Sequence, residues 1–143
     1  MIAALRESDW DEWSELWRGY LDFYRQELDE QTTNATFRRL CERTDGMFGL
    51  ICRDLNETAI GLAHAVVHRS TWARTSYCYL EDLFVAGGAR GTGSARELMQ
   101  AVFRESDSLG CERVYWHTQE FNGPARSLYD RVGRRTSFVV YER

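Results

Sequence analysis

The segment from Arg90 to Ala95 reads Arg-Gly-Thr-Gly-Ser-Ala and joins an apolar strand to an amphipathic helix. The first N–H groups of a helix have no acceptor within it, and the helix dipole adds partial positive charge at that end. Small residues let a ligand come close to these groups, and the Arg90 guanidinium adds a cation. The pattern predicts a binding site for a phosphorylated ligand.

Two common phosphate-binding loops match this segment poorly. A dinucleotide fingerprint requires a third glycine where the chain has Arg96, and a Walker loop requires a lysine where the chain has Ser94. The spacing of Arg90, Gly93 and Ala95 fits R-x-x-G-x-G/A, the pattern of an acyl-CoA loop. A plain strand–turn–helix bend, with glycines serving only the turn, is the alternative.

A second motif, Asn122-Gly-Pro-Ala125-Arg-Ser-Leu-Tyr129, follows the next predicted strand. The two motifs together resemble the GNAT superfamily of N-acetyltransferases. The segments Cys78–Val85, Arg113–Gln119 and Leu128–Arg131 resemble the branch that includes histone, polyamine and D-amino-acid acetyltransferases. The resemblance implies a single domain over residues 1–143 with an α/β (α+β) fold. Its mixed sheet is expected to have about six to seven strands, splayed between strands 4 and 5, with helices on both faces.

The same resemblance implies acetyl-CoA as co-substrate. Its diphosphate would lie on the glycine loop, and its pantetheine arm would pair with the strand edge left open by the splay. The implied cofactor-binding residues are Leu83, Phe84, Val85, Arg90, Gly91, Thr92, Gly93, Ser94, Ala95, Arg96, Asn122, Ala125 and Tyr129.

Amine acetylation requires a base for the ammonium and a proton donor for the leaving thiolate. By resemblance, Glu81 is the candidate base and Tyr129 the candidate acid. Neighbouring strand residues face opposite ways, so Glu81 and Asp82 should not share the task unless a β-bulge re-aims one of them. The acceptor-side candidates are Tyr24, Glu27, Asp82, His117 and Glu120, with His117 also an alternative base.

The expected activity is acetyl transfer to a primary amine, such as a polyamine, an amino acid or a lysine-like acceptor. A peptide lysine acetyltransferase and a non-catalytic acyl-CoA-binding module are the alternatives. A formal charge of −4 disfavours general nucleic-acid binding, which needs a basic surface. No metal-ligand spacing occurs among the four cysteines and three histidines, so no metal site is predicted.

No stretch of 18 apolar residues occurs, and the N-terminal segment is charged too early for a signal peptide. We therefore expect no membrane association and a cytoplasmic location, and by resemblance a homodimer. Periodicity and capping residues predict strands at 2–5, 47–52, 59–68, 77–85, 113–117 and 137–141 and helices from an N-cap at Ser8 to 24, at 33–43, from the glycine loop to 109 and at 122–132.

Overall fold

The computed structural model describes residues 1–143 without a gap. Five strands and four α-helices make up the fold. The strands are β1 (Ile2–Ala4), β2 (Met47–Arg53), β3 (Ala59–Arg69), β4 (Ser76–Val85) and β5 (Cys111–Trp116), and the helices are α1 (Trp10–Phe23), α2 (Glu30–Glu42), α3 (Ser94–Ser108) and α4 (Gly123–Val132). Short 3₁₀ turns at Glu7–Asp9 and Gly87–Ala89 precede α1 and the glycine loop.

The strands lie in chain order, β1-β2-β3-β4-β5, in one mixed sheet. The first four pair antiparallel, whereas β5 runs parallel to β4. A parallel neighbour requires a crossover connection, and α3 provides it. The carboxyl ends of β4 and β5 therefore meet at the same edge of the sheet, where the loops before α3 and α4 begin.

Helices cover both faces of the sheet, as the resemblance implies. On one face, α1 and α2 bury an aromatic-rich cluster against the sheet. Its members are Leu5, Trp13, Leu16, Trp17, Phe37, Leu40, Ile51 and Leu62. On the other face, α3 packs Leu98, Met99 and Val102 onto residues of β2, β3 and β4. The sheet lies between these two helical layers. No helix combines the length and apolar character needed to cross a bilayer.

The expected strand count of six to seven is wrong, because the sheet has five strands. The predicted closing strand at 137–141 does not form, and residues 134–143 pair with no other part of the chain. The side chains of Phe138, Val139, Val140 and Tyr141 are 72–90% exposed. Four consecutive apolar residues, two of them β-branched, favour a strand, but a strand needs a partner to supply the hydrogen bonds.

Two helix starts also differ from the prediction. Ser8 lies inside the 3₁₀ turn, and the Asp9 carboxylate instead accepts the Arg6 N–H at 2.8 Å. The second helix begins at Glu30, three residues before the expected Thr33, because the Asp29 carboxylate accepts the N–H of Thr32 at 2.6 Å. Asp29 thus caps the start of α2, whereas Asp9 satisfies the N–H of the residue that precedes the 3₁₀ turn before α1.

Candidate functional site

The sheet is open along part of its fourth strand. The last pair between β4 and β5 is Leu80 with Trp116, but β4 continues to Val85. Leu83, Phe84 and Val85 pair only with β3, and their other edge has no strand beside it. The opening predicted between strands 4 and 5 is therefore present, and it begins one residue after Leu80.

A β-bulge lies where this opening begins. Consecutive residues of β3 pair with Leu80 and Asp82, so Glu81 is the extra residue. Leu80 and Leu83 both pack on the α3 side, whereas Asp82 contacts His64 on the α1 side. The alternation of side chains has thus skipped one position, and Glu81 and Asp82 face the same side. The sequence predicted that the two carboxylates could act together only if a β-bulge re-aimed one of them, and this bulge is present.

The glycine loop carries a set of free backbone donors. Gly91 and Gly93 have φ angles of +80° and +90°, a left-handed region that other residues occupy only with strain. No atom lies within 4 Å of a Cβ built at either position. The backbone conformation therefore requires glycine, and crowding does not. The N–H groups of residues 91–96 have no backbone acceptor in this arrangement.

Side chains of the same loop stabilise its shape. The Thr92 hydroxyl donates to the carbonyl of Ala89 at 2.6 Å and lies 2.8 Å from the buried Ser94 hydroxyl. The Arg90 Nε donates to the Val85 carbonyl at 3.3 Å, and its guanidinium lies 5.6 Å from the centre of the Phe23 ring. Arg90 thereby bridges the end of β4 and the end of α1.

The loop residues around Arg90 remain accessible to a ligand. Arg90, Gly91, Thr92, Gly93 and Arg96 are exposed, whereas Ala95 is half-buried at the start of α3. The predicted phosphate-binding loop is therefore open to solvent, and it lies beside the end of the open strand edge.

Helix α4 forms the other wall of the opening. The Asn122 side chain accepts the N–H of Ala125 at 3.3 Å, and Pro124 occupies the first turn, where its missing N–H costs nothing. Asn122 thus has a capping task in addition to any contact with a ligand. Ala125 and Tyr129 follow one helical turn apart on the same face.

Tyr129 lies across the opening from α1. Its ring packs edge-on against Trp116 with centroids 5.7 Å apart, and Tyr24 is near enough to influence its ionisation. Burial, with a smaller contribution from Tyr24, raises the pKa of Tyr129 to about 12. The phenol therefore keeps its proton at neutral pH, and none of the chain's hydrogen bonds uses its hydroxyl.

The two carboxylates differ in their surroundings. An Asp82 oxygen lies 2.9 Å from Nδ1 of His64, and the Asp82 side chain is only 13% exposed. Glu81 is more exposed and has no such partner. Partial burial and the charge of Asp82 raise the pKa of Glu81. The Glu81 carboxylate is therefore free to contact a ligand, whereas one Asp82 oxygen is engaged by His64.

Aromatic side chains surround this carboxylate pair on the α1 face. Tyr20 and Tyr24 extend from α1 and pack against each other at 5.0 Å between ring centroids. Burial, followed by the charge of Asp82, raises the pKa of both phenols. The Tyr79 hydroxyl lies 3.2 Å from Nδ1 of His117, which continues the cluster beyond β5. Such rings provide apolar walls and faces that attract a cation.

Two predicted acceptor residues are set apart from this cluster. Glu27 is exposed in the connection between α1 and α2, and Glu120 is exposed before α4, where its backbone carbonyl accepts from Arg126. Neither side chain makes a hydrogen bond or ion pair. The structure brings Tyr24, Asp82 and His117 together and leaves these two glutamates outside the group.

Sequence reasoning missed two members of the site, Trp13 and His64. The indole N–H of Trp13 donates to Nε2 of His64 at 2.9 Å, directly behind Asp82. The pattern around Trp13 predicted only an amphipathic helix, and the pattern around His64 predicted only a strand, so neither residue was assigned to the site. A histidine inside an otherwise apolar strand was the available signal, because a buried imidazole needs hydrogen-bond partners. No group of three or more His, Cys, Asp or Glu side chains is arranged to hold a metal.

Comparisons with known proteins agree with this architecture. Residues 2–133 match the model of the acetyltransferase (GNAT) family. The D-amino-acid N-acetyltransferase HPA3 of Saccharomyces cerevisiae is 33% identical over 145 residues, covering 100% of this chain and 89% of that protein. The uncharacterized N-acetyltransferase YhfO of Bacillus subtilis is 28% identical over 142 residues, covering 98% of this chain and 94% of that protein.

Solved structures show the same fold at lower identity. AAC(6')-Iy in complex with a bisubstrate analogue superposes with a TM-score of 0.86 at 20% identity, covering 100% of this chain and 96% of that one. A crystal structure of a probable acetyltransferase gives the same TM-score at 19% identity, covering 99% and 95% of the two chains. With a family match over residues 2–133, the chain belongs to the GNAT family and is an acyl-CoA-dependent N-acetyltransferase.

Proposed function

We propose that the protein transfers an acetyl group from acetyl-CoA to a primary amine by direct attack. One observation carries this proposal: an unpaired strand edge, a row of free N–H donors and a pair of carboxylates border the same opening. The first two features suit the co-substrate, and the third suits a cationic acceptor. A direct reaction needs all three together, because acyl donor and amine must meet within one site.

The glycine loop is proposed to hold the CoA diphosphate. Its free N–H groups, from Gly91 to Arg96, provide donors at the positive end of α3. The pantetheine arm would lie along Leu83, Phe84 and Val85 and pair with them as an added strand. A related fold, AAC(6')-Iy, has been solved with CoA and with a CoA-linked bisubstrate analogue, which supports this placement.

Glu81 is proposed as the base that takes the proton from the acceptor's ammonium. An alkylammonium has a pKa near 10, so the amine must be deprotonated before it attacks. Glu81 is accessible from the opening, and its raised pKa makes it a better proton acceptor than an ordinary glutamate. Asp82 would provide a second negative charge to hold the cation.

Tyr129 is proposed as the proton donor to the leaving thiolate. Its phenol is protonated at neutral pH, lies on the α4 wall of the opening and has no internal partner to compete for its proton. Asn122 and Ala125 would border the pantetheine arm on the same wall. The backbone N–H groups of the open strand edge would polarise the thioester carbonyl.

The acceptor is proposed to enter from the α1 side. Tyr24, Asp82 and His117 would line its path, with Glu27 and Glu120 at the exposed rim. The relative HPA3 is named a D-amino-acid N-acetyltransferase, which makes a small amine the first candidate. A lysine-bearing peptide is the second candidate, since the exposed rim glutamates would suit the neighbouring positive charges of such a peptide.

A panel of amines with acetyl-CoA, read out by release of free thiol, tests the proposed function. Spermidine, L-lysine, D-lysine, D-phenylalanine and a histone-tail peptide represent the acceptor classes. We expect turnover with at least one small amine at a rate well above the thioester hydrolysis measured without amine. Turnover with the peptide alone would replace the small-molecule acceptor by a protein, and release that no amine accelerates would refute the proposal.

We also propose that the chain forms a homodimer through its C-terminal segment. Residues Phe138–Tyr141 are apolar and exposed, and the outer edge of β5 has no neighbouring strand. An unpaired sheet edge and an unpaired apolar segment that can become a strand are complementary, and a second copy of the chain supplies both.

Light scattering on a sizing column tests the dimer. The double variant Val139→Pro with Val140→Pro removes two strand N–H groups and should yield a monomer. The matched variant Val139→Thr with Val140→Thr keeps the β propensity and should remain dimeric. A wild type that elutes as a monomer would contradict this part of the proposal.

A further inference from the structure

A chain of three buried groups leads from the aromatic core to the edge of the acceptor site. Trp13 is 0% exposed and His64 2% exposed, and the indole N–H of Trp13 donates to Nε2 of His64 at 2.9 Å. On its other side, Nδ1 of His64 lies 2.9 Å from an Asp82 carboxylate oxygen. This hydrogen-bonded series runs from α1 through β3 to β4, so it fixes Asp82 relative to α1 and β3.

The direction of these hydrogen bonds assigns the tautomer of His64. An indole nitrogen is a donor and never an acceptor, so Nε2 must present its lone pair to Trp13. The ring proton then resides on Nδ1, where it donates to Asp82. A proton on both nitrogens would direct two N–H groups at each other between Trp13 and His64. The arrangement therefore holds a neutral imidazole that gives Asp82 one hydrogen bond and no positive charge.

The bond to Trp13 is specific within its cluster. Trp17 stacks on Trp13 at 5.7 Å and lies 5.1 Å from the imidazole, but its own N–H is buried without any partner. Two neighbouring indoles of the same helix thus differ in one respect, since only Trp13 is bonded to His64. Trp17 consequently supplies a matched control for the removal of Trp13.

Asp82 receives its remaining contacts from the acceptor side. The ionisable groups near its carboxylate are Tyr20 and Tyr24 from α1 and Tyr79 and Glu81 from β4. All of them are neutral or acidic, so within the chain no cation opposes the Asp82 charge on this side. A carboxylate held in place, with negative charge beside it and no internal counter-ion, fits an ammonium group from outside.

We propose that Trp13 and His64 are positioning residues that hold Asp82 as a fixed anionic anchor for the acceptor's ammonium, leaving proton transfer to Glu81. The inference rests on the proposed function and adds a division of labour between the adjacent carboxylates. Glu81, in the bulge, has no hydrogen-bond partner within the chain, so its carboxylate is free to accept a proton and release it. Asp82 is committed to binding, and its geometry depends on a residue that never touches the substrate.

The tautomer is tested first, without any activity measurement. Long-range ¹H–¹⁵N spectra of the imidazole rings at neutral pH should show His64 with its proton on Nδ1 and an unprotonated Nε2. Trp13→Phe should allow Nε2 to become protonated, whereas Trp17→Phe should leave the wild-type pattern. A proton on Nε2 of His64 in the wild type would overturn the inference.

Kinetics then test the anchoring role with the amine of the panel that has the highest kcat/KM. His64→Leu removes the donor to Asp82 and should raise KM for the amine at least tenfold, with KM for acetyl-CoA unchanged within twofold. His64→Asn places an amide N–H near the Nδ1 position and should recover most of the loss. Glu81→Gln should lower kcat instead.

The two proposals fail in different ways. An inactive wild type with the expected His64 tautomer would refute the proposed function alone. An active wild type whose amine KM is the same in His64→Leu, or is not recovered by His64→Asn, would refute the anchoring role alone.

Discussion

Replacing Tyr129 by phenylalanine isolates the contribution of one hydroxyl group to catalysis. The ring keeps its packing against Trp116, and the hydroxyl has no partner in the chain that would be left unsatisfied. The free energy of unfolding should therefore change by less than about 1 kcal/mol, since no buried group loses its hydrogen bond. Any large effect on turnover then reports on the reaction.

The size of that effect follows from the pKa values involved. The phenol has a pKa of about 12, whereas a free thiol has one of about 8.5, so complete proton transfer to the thiolate would be uphill by about 5 kcal/mol. Tyr129 should therefore act by sharing its proton with the sulfur as charge develops. A hydrogen bond to a charged group contributes about 1.5–3 kcal/mol, which corresponds to roughly 10- to 150-fold in kcat.

Steady-state kinetics with acetyl-CoA and the best amine of the panel measure this loss. We expect kcat to fall by at least tenfold, while the dissociation constant of CoA, measured by calorimetry, changes less than threefold. Tyr77→Phe is the control, because Tyr77 lies on β4 at the end remote from the opening. Wild-type kcat in Tyr129→Phe would refute the assigned role of the hydroxyl.

Three further predictions concern other positions. Glu81→Gln should lower kcat by about 10²-fold or more and remove the acidic limb of the kcat/KM profile. Because the folded-state pKa of Glu81 is raised, this carboxyl makes the wild type less stable as pH rises from about 4.5 through that pKa. Thermal melts of the variant should lack this loss of stability. Gly133→Ala should lower kcat, since its Cβ would lie 2.7 Å from the ring of Trp116, which packs against Tyr129, the proposed proton donor; an unchanged kcat would contradict that support. Gly46→Ala should lower the free energy of unfolding by at least about 2 kcal/mol in urea titrations. The φ angle of Gly46 is +76°, and an added Cβ would lie 2.2 Å from the Val67 carbonyl oxygen. Gly88→Ala is the control, because a Cβ there would lie in open space.

The elements that sequence predicted well are those with strong periodic patterns or clear stops. Helix α3 has an apolar stripe through Leu98, Met99 and Val102, and Gly110 follows its end with φ of +73°. The fourth strand has apolar or aromatic residues on both sides of Glu81 and Asp82, and its bounds differ from the prediction by one residue. The segment 137–141 has an equally good strand pattern, but the pattern cannot say whether a partner strand exists within the same chain.

The site was predictable only in part for a similar reason. Loop residues such as Gly93 belong to a contiguous motif, so spacing along the chain located them. The network of Trp13, His64 and Asp82 joins three elements that are far apart in sequence, and only the register of β3 with β4 brings them together. The shared side of Glu81 and Asp82 likewise depends on a bulge that no local pattern specifies.

Calorimetric titration of CoA into the purified protein tests the central claim most directly, that the glycine loop and the open strand edge form the co-substrate site. We predict saturable binding of one CoA per chain, weakened at least tenfold in Gly93→Ala, whose Cβ would project into the open space of the loop and strain its backbone, but not in Gly87→Ala. Absence of binding heat with the wild type, or equal affinity in Gly93→Ala, would contradict the claim.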